Sequence, residues 1–131
     1  MNASDIMRRP VVAATPTATA RDVAIQLLMG EFSGVPIAQS DGSVVGIVTE
    51  LDLIRAVLRA GKALETTLAQ DIMTRDVTTV DAQTPMEEVM RVLEEKNIIR
   101  VPVTDEGKLV GVISRSDILR AMIEPTFLRF A

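Results

Sequence analysis

Residues 45–52 read Val-Gly-Ile-Val-Thr-Glu-Leu-Asp, and residues 110–117 read Val-Gly-Val-Ile-Ser-Arg-Ser-Asp. Both copies run a β-branched apolar segment into a hydroxyl residue, place an aspartate three positions on and continue into helix formers. β-Branched residues favour extended backbone, whereas a hydroxyl followed by an acid one turn later is a helix-start signal. Each copy therefore predicts a strand feeding directly into a helix capped by Thr49 or Ser114. Such a junction gathers a hydroxyl, a carboxylate and the spare N–H groups of a helix start on one small surface. That surface can serve as a cap, contributing about 1 kcal/mol, or as a ligand site.

The duplication extends along the chain. Asp5-Ile6-Met7 returns as Asp71-Ile72-Met73, Arg9 and Val11 as Arg75 and Val77, and Val35-Pro36 as Val101-Pro102, all at a spacing of 66. Beyond the next turn the spacing is 65: Gly42 and Gly46 match Gly107 and Gly111, and Asp52, Arg55 and Ala56 match Asp117, Arg120 and Ala121. A single deletion in a surface turn accounts for the change. The organisation expected is repeat 1 over residues 1–62, repeat 2 over 63–124 and a tail over 125–131.

Each repeat reads as a short leading helix (Ser4–Met7; Leu68–Met73), then strand, helix, strand, strand, helix. First strands are expected at Val11–Ala14 and Val77–Val80. In the helix that follows in repeat 2, Thr84-Pro85-Met86-Glu87 predicts a start capped by Thr84, and Met86, Val89, Met90 and Leu93 form one apolar stripe. Repeat 1 places Ala20, Val23, Ala24 and Leu27 on the matching stripe. Pro36 and Pro102 lack an N–H, which predicts that the strands Val35–Ala38 and Val101–Thr104 lie at a sheet edge or begin there. Ser40-Asp41-Gly42-Ser43 and Asp105-Glu106-Gly107-Lys108 read as hairpin turns, Gly61 as a helix C-terminus, and Pro125 as the end of the last helix. The fold class is α/β in the broad sense (α+β), two β-α-β-β-α repeats. A three-stranded sheet with helices on one face needs cover on the other. The repeats are therefore expected to pack sheet to sheet about a pseudo-twofold axis, with two equivalent clefts between them.

Composition narrows the chemistry. Apolar residues make up 47% of 131, enough for a core, and the net charge of −4 gives no general basic footprint for nucleic acid or a membrane surface. The chain contains neither cysteine nor histidine, which removes disulfides, thiolate or imidazole catalysis and the usual zinc ligands. No phosphate-loop motif and no clustered carboxylates for two metals are present. The chain is read as a non-enzyme with no metal site. No apolar run approaches the ~20 residues of a membrane span, and Met1-Asn2-Ala3-Ser4-Asp5 does not resemble a signal peptide, so a cytoplasmic location is expected.

The doubled pattern Gly-h-h-[Thr/Ser]-x-x-Asp, with Asp-Ile-Met upstream and a Val-Pro strand between, resembles the cystathionine-β-synthase (CBS) domain. It covers Asp5 to Ile123, and a tandem pair is called a Bateman module. The resemblance implies regulatory binding of adenosyl ligands: AMP, ADP, ATP or S-adenosylmethionine as candidates, with no obligatory cofactor. It implies that Asp52 and Asp117 hold ribose hydroxyls, with Thr49 and Ser114 beside ribose and phosphate, and that each site is shared between repeats. One site then combines Thr49 and Asp52 with Val77, Thr78, Ile99, Arg100, Val101 and Pro102. The other combines Ser114, Ser116 and Asp117 with Val11, Val12, Ser33, Gly34, Val35 and Pro36. The chemistry is consistent: one carboxylate accepts from two vicinal hydroxyls, helix-start amides favour phosphate, and an aliphatic slot suits adenine.

Arg100, where repeat 1 has Gly34, is expected to meet a phosphate at the first site and to make that site the better one for anionic ligands. Arg115 is expected to help a phosphate at the second, where its counterpart Glu50 repels one; Arg9 and Arg75 are read equally as phosphate ligands and as surface charge. The apolar residues Leu53, Ile54, Val57 and Leu58, with Ile118, Leu119, Met122 and Ile123, are expected to be exposed and to suit a homodimer, the form Bateman modules commonly take. Phe127, Leu128 and Phe130 are expected to pack on the module or on a second copy. The partners expected are an adenine nucleotide and an unidentified target protein. The alternative is a ligand-independent dimerisation or interaction module with vestigial clefts.

Overall fold

The computed structural model describes residues 1–30 and 34–130, with side chains described as far as Ile123. Along the chain lie α1 (Ala3–Ile6), α2 (Ala20–Met29), β1 (Gly34–Ala38), β2 (Val44–Thr49), α3 (Glu50–Ala60) and α4 (Ala69–Ile72). They are followed by β3 (Val80–Asp81), α5 (Met86–Glu95), β4 (Arg100–Asp105), β5 (Lys108–Ser114) and α6 (Arg115–Phe130). The fold is mixed α+β, with small sheets and helices. Among the described residues no helix is long and apolar enough to cross a membrane.

Two compact units emerge, and their bounds differ from those of the sequence repeats. One unit comprises Val12–Val77; the other joins Met1–Val11 to the chain from Thr78 onward. The leading segment of each repeat thus packs with the strands and helices of the other repeat. Arg8 forms an antiparallel bridge with Val112 on β5, and Thr74 forms the same bridge with Ile47 on β2. Beside each bridge the leading methionine covers a glycine: a Cβ at Gly46 would collide with the Met73 side chain, and one at Gly111 with Met7. The glycine that opens each repeated motif is needed to admit this side chain.

In the unit Val12–Val77, β1 and β2 pair antiparallel, and the core is Val23, Leu27, Val35, Ile37, Val48, Leu53 and Met73. In the other unit the sheet order is β3-β4-β5, over a core of Val89, Leu93, Val101, Val103, Ile113 and Ile118. Helices α2 and α5 bury the expected stripe, with Val23 and Val89 fully inaccessible. Gly61 ends α3 in the left-handed region at φ 62°. Glu106 and Gly107 both have positive φ between the paired Asp105 and Lys108, the two-residue hairpin turn that the sequence signals.

Several sequence expectations are corrected. The first strand of repeat 1 is a single parallel bridge, Ala14 to Ile37, and that of repeat 2 is only Val80–Asp81. The prolines explain the brevity. The Pro36 carbonyl accepts from the Ala14 N–H at 3.0 Å, so the missing Pro36 donor lies on this same side and an earlier residue finds no partner. The strand β4 is accordingly central, not an edge, but its parallel neighbour begins only beyond Pro102, at Val103. Thr84 does not cap α5: its hydroxyl accepts from the Asp81 N–H at 3.1 Å, closing the preceding turn, and Pro85 stands at the cap. Leu53 and Ile118 are buried, at 8% and 5% exposure, whereas Ile54, Val57, Leu58, Leu119, Met122 and Ile123 are exposed. The helical period turns the first residue of each set inward. Helix α6 continues through Pro125 to Phe130, with one backbone donor fewer. Ser33 and the side chains of Phe127, Leu128 and Phe130 fall outside the described residues.

Candidate functional site

The repeated motif folds into the same device in both units. At the end of β2, the Asp52 N–H donates to Thr49 Oγ1 at 3.3 Å, while the Thr49 N–H donates back to Asp52 Oδ2 at 2.9 Å. At the end of β5, the Asp117 N–H donates to Ser114 Oγ at 3.2 Å, and the Ser114 N–H to Asp117 Oδ2 at 2.9 Å. Both are reciprocal capping boxes that fix the carboxylate against the start of a helix. A structural role is therefore real for both motifs, and it leaves the second oxygen of each carboxylate, Oδ1, to distinguish them.

Asp52 is half-buried. Its Oδ2 also accepts from the Thr49 hydroxyl at 3.0 Å, and Thr74 Oγ1 approaches Oδ1 at 3.2 Å and Oδ2 at 3.4 Å. All these donors are neutral. Among the described residues Oδ1 receives only this one long hydroxyl bond, so the carboxylate retains capacity for further donors.

Asp117 is nearly inaccessible, its side chain 4% exposed, and its Oδ1 is occupied by cations: Arg8 Nε at 2.7 Å and Arg120 Nη1 at 3.1 Å. Burial alone pushes this carboxyl up. The Ser114 N–H, Arg8 and the Ser114 hydroxyl outweigh burial and hold its pKa below the ordinary value. Arg100 lies opposite Ser114 in the β4–β5 register. Burial lowers its pKa, with Asp117 opposing and Arg8 reinforcing that shift. Arg100, which the sequence assigns to a phosphate at the Thr49–Asp52 site, thus lies with Arg8 and Arg120 in the electrostatic reach of Asp117, and its charge is no ground for ranking the first site above the second for anionic ligands.

The remaining expected site residues are distributed as follows. Gly34 stands opposite Thr49 in the β1–β2 register, and Val35, Pro36, Val101 and Pro102 are buried in their strands. Val11, Val77 and Thr78 are half-buried in irregular segments, Val12 is 38% exposed and Ile99 is 53% exposed. Ser116 Oγ lies 2.9 Å from Ser114 Oγ. Arg115 donates through Nε to the Ile98 carbonyl at 2.9 Å and through Nη2 to Asn97 Oδ1 at 3.2 Å, so it clips the α5–β4 connection. Arg75 donates to the Gln70 carbonyl. Arg8, Thr74 and Arg120 were absent from the sequence-derived set. Their signal was the duplication itself, because Arg8 and Thr74 are the aligned residues that follow Asp-Ile-Met.

A tandem pair of small α+β repeats, each presenting a capped hydroxyl–carboxylate motif, defines the class. The CBS domain family model matches residues 3–59 and again 69–124; the chain belongs to the CBS domain family and carries a pair of its repeats. It is 30% identical over 128 residues to hypoxic response protein 1 of Mycobacterium tuberculosis, covering 98% of this chain and 90% of that one. The crystal structure of that hypoxic response protein, with two coordinated zinc ions, superposes with a TM-score of 0.84 over 92% of this chain and 98% of that one. CBSX2 in complex with AMP gives a TM-score of 0.83 at 26% identity, covering 95% of this chain and 98% of that one. The CBS domain pair of MJ0100, in complex with 5′-methylthioadenosine and S-adenosyl-L-methionine, gives 0.81 at 28% identity over the same shares. The chain spans 63% of the length of an uncharacterized Methanopyrus kandleri protein to which it is 32% identical over 126 residues.

Proposed function

We propose that the chain is a regulatory ligand-sensing module. It binds an adenosyl nucleotide of the AMP, ADP or ATP class, or S-adenosylmethionine, and transmits occupancy to a target protein by a conformational change. The observation that carries this reading is the half-buried Asp52, whose Oδ1 holds one long neutral hydrogen bond. A carboxylate so placed can take both hydroxyls of a ribose, while the start of α3 offers amide donors to a phosphate. Its likeness to CBS pairs that hold AMP, or S-adenosylmethionine and 5′-methylthioadenosine, supports the ligand class. Sharing of each ligand between repeats, with Val77, Thr78 and Ile99–Pro102 serving Thr49–Asp52, and Val11, Val12 and Ser33–Pro36 serving Ser114–Asp117, is part of the proposal and rests on the family resemblance. Shared ligation would give the ligand different contacts in different arrangements of the repeats, which is what transmission requires.

Zinc is not carried over from the hypoxic response protein. This chain has no histidine or cysteine, and the described residues contain no group of three acidic side chains able to hold a metal. The module is non-catalytic and cytoplasmic in this reading, and it works as a homodimer. Dimerisation has its own support in the exposed apolar faces of α3 and α6.

Calorimetric titration of the wild type, Asp52→Ala and Asp117→Ala with AMP, ATP and S-adenosylmethionine tests the ligand reading. Loss of the tighter site in Asp52→Ala is expected. A ligand at about 100 times its Kd should also stabilise the fold by about 2.7 kcal/mol. Saturating ligands that leave the melting midpoint unmoved would favour the ligand-independent interaction module instead.

A further inference from the structure

Thr74 and Arg8 hold the same position in the two units. Each follows a leading Ile-Met, each forms the bridge to the outer strand, and each reaches the motif carboxylate. One is a neutral hydroxyl at 3.2 Å; the other is a guanidinium at 2.7 Å. The inequality grows at the next contact, where Arg120 adds a second cation to Asp117. Its counterpart Arg55 makes no ion pair among the described residues, and Arg100, counterpart of Gly34, adds a third positive charge to the surroundings of Asp117.

We propose that Arg8 is the specificity-determining residue of the second motif: it covers Asp117, and the motif takes an adenosyl ligand only when the ligand carries an anionic group to which Arg8 can transfer. The inference rests on the adenosyl reading above and deepens it. A ribose hydroxyl is a neutral donor. Exchanging a guanidinium for it on a buried carboxylate replaces an ion pair, charged on both sides, by a hydrogen bond in which only the acceptor is charged, a loss of about tenfold in affinity. A ligand phosphate reverses that loss by giving the released guanidinium a new anionic partner. The Arg8 side chain is 47% exposed, so it has room to turn away from Asp117 while its backbone stays bridged to Val112. At Asp52, where the covering residue is Thr74, no such exchange is required and neutral and anionic adenosyl ligands compete on more equal terms.

The probes are AMP and adenosine, which differ only in the phosphate. Calorimetry on Asp52→Ala isolates the second motif; Arg8→Thr in that background installs the residue that serves Asp52. The expected result is that Asp52→Ala prefers AMP to adenosine strongly, and that Arg8→Thr improves adenosine binding about tenfold and narrows the preference. In the reciprocal variant Thr74→Arg, on an Asp117→Ala background, the first motif should acquire the preference. It keeps the inference testable should Arg8→Thr fail to fold. An unchanged AMP-to-adenosine ratio in a folded Arg8→Thr or Thr74→Arg protein overturns the role of Arg8 while leaving the sensor reading intact. Absence of binding of either probe to the wild type and to every variant overturns both.

Discussion

Met73 lies over Gly46 so closely that a single added methyl group collides with its side chain. The contact joins the leading segment of one repeat to the motif strand of the other, and Met7 over Gly111 repeats it in the second unit. Gly46→Ala must displace a methionine that is 9% exposed and packed in the core. Overpacking of this kind costs about 1–3 kcal/mol, and a lower midpoint in thermal or urea unfolding is the expected outcome. Gly61→Ala serves as a comparison, since its Cβ meets nothing within 4 Å and only the φ of 62° opposes it, at roughly 1 kcal/mol. A Gly46→Ala protein that unfolds at the wild-type midpoint would contradict the packing role.

Asp117 gives the protein an acid-sensitive latch. Its pKa is lower folded than its ordinary value of 3.8, so the folded state holds its proton less tightly than the unfolded chain. The stabilisation is therefore complete above about pH 4 and is lost as pH falls through the depressed folded value. Unfolding midpoints measured downward from pH 6 should fall more steeply for wild type than for Asp117→Asn, which has no carboxyl to titrate. At neutral pH Asp117→Asn should be less stable by about 1–2 kcal/mol, the charge-assisted bonds being discounted because Arg8 and Arg120 are each about half exposed. Parallel acid limbs for the two proteins would show that another group controls acid unfolding.

The order of elements, the paired capping boxes and the turn at Glu106-Gly107 were legible because each is set by residues within a few positions of one another. Thr49 and Asp52 are one helical turn apart, and the duplication made the same reading twice. The exchange of leading segments was not legible, because nothing local in Asp-Ile-Met says which repeat its methionine will cover. The Arg8–Asp117 pair, 109 residues apart, escaped for the same reason. The short first strands were misread from their β-branched residues; the deciding residue was a proline on the neighbouring strand, which withholds a donor.

The face of α3 separates neighbours sharply. Leu53 is 8% exposed and belongs to the core, whereas Ile54 is 56% exposed. Leu53→Ala removes buried methyl groups and leaves a cavity, at about 2–5 kcal/mol. Ile54→Ala should stay within about 0.5 kcal/mol when measured on dilute protein. Urea unfolding of the two variants checks the assignment, and similar costs for both would mean that the helix is rotated from the position described.

The same exposed face bears on assembly. In one unit Leu51, Ile54, Val57 and Leu58 are at least 49% exposed, and in the other Leu119, Met122 and Ile123 are at least 52% exposed. Apolar side chains grouped on a helix face mark an interaction surface when they form a patch, and a stable interface needs roughly 800 Å² from each partner. A second copy of this chain supplies apolar faces of the same kind, and closed symmetric pairing is the commonest solution for a soluble chain. Ile54→Glu and Leu119→Glu place a charge in each patch without entering either core, so the fold should survive while association is lost. Light scattering coupled to gel filtration is expected to give a dimer for wild type and a monomer for the doubly substituted protein. A wild type that remains monomeric throughout the accessible concentration range would remove the homodimer from the proposed function and leave the helix faces for the target protein.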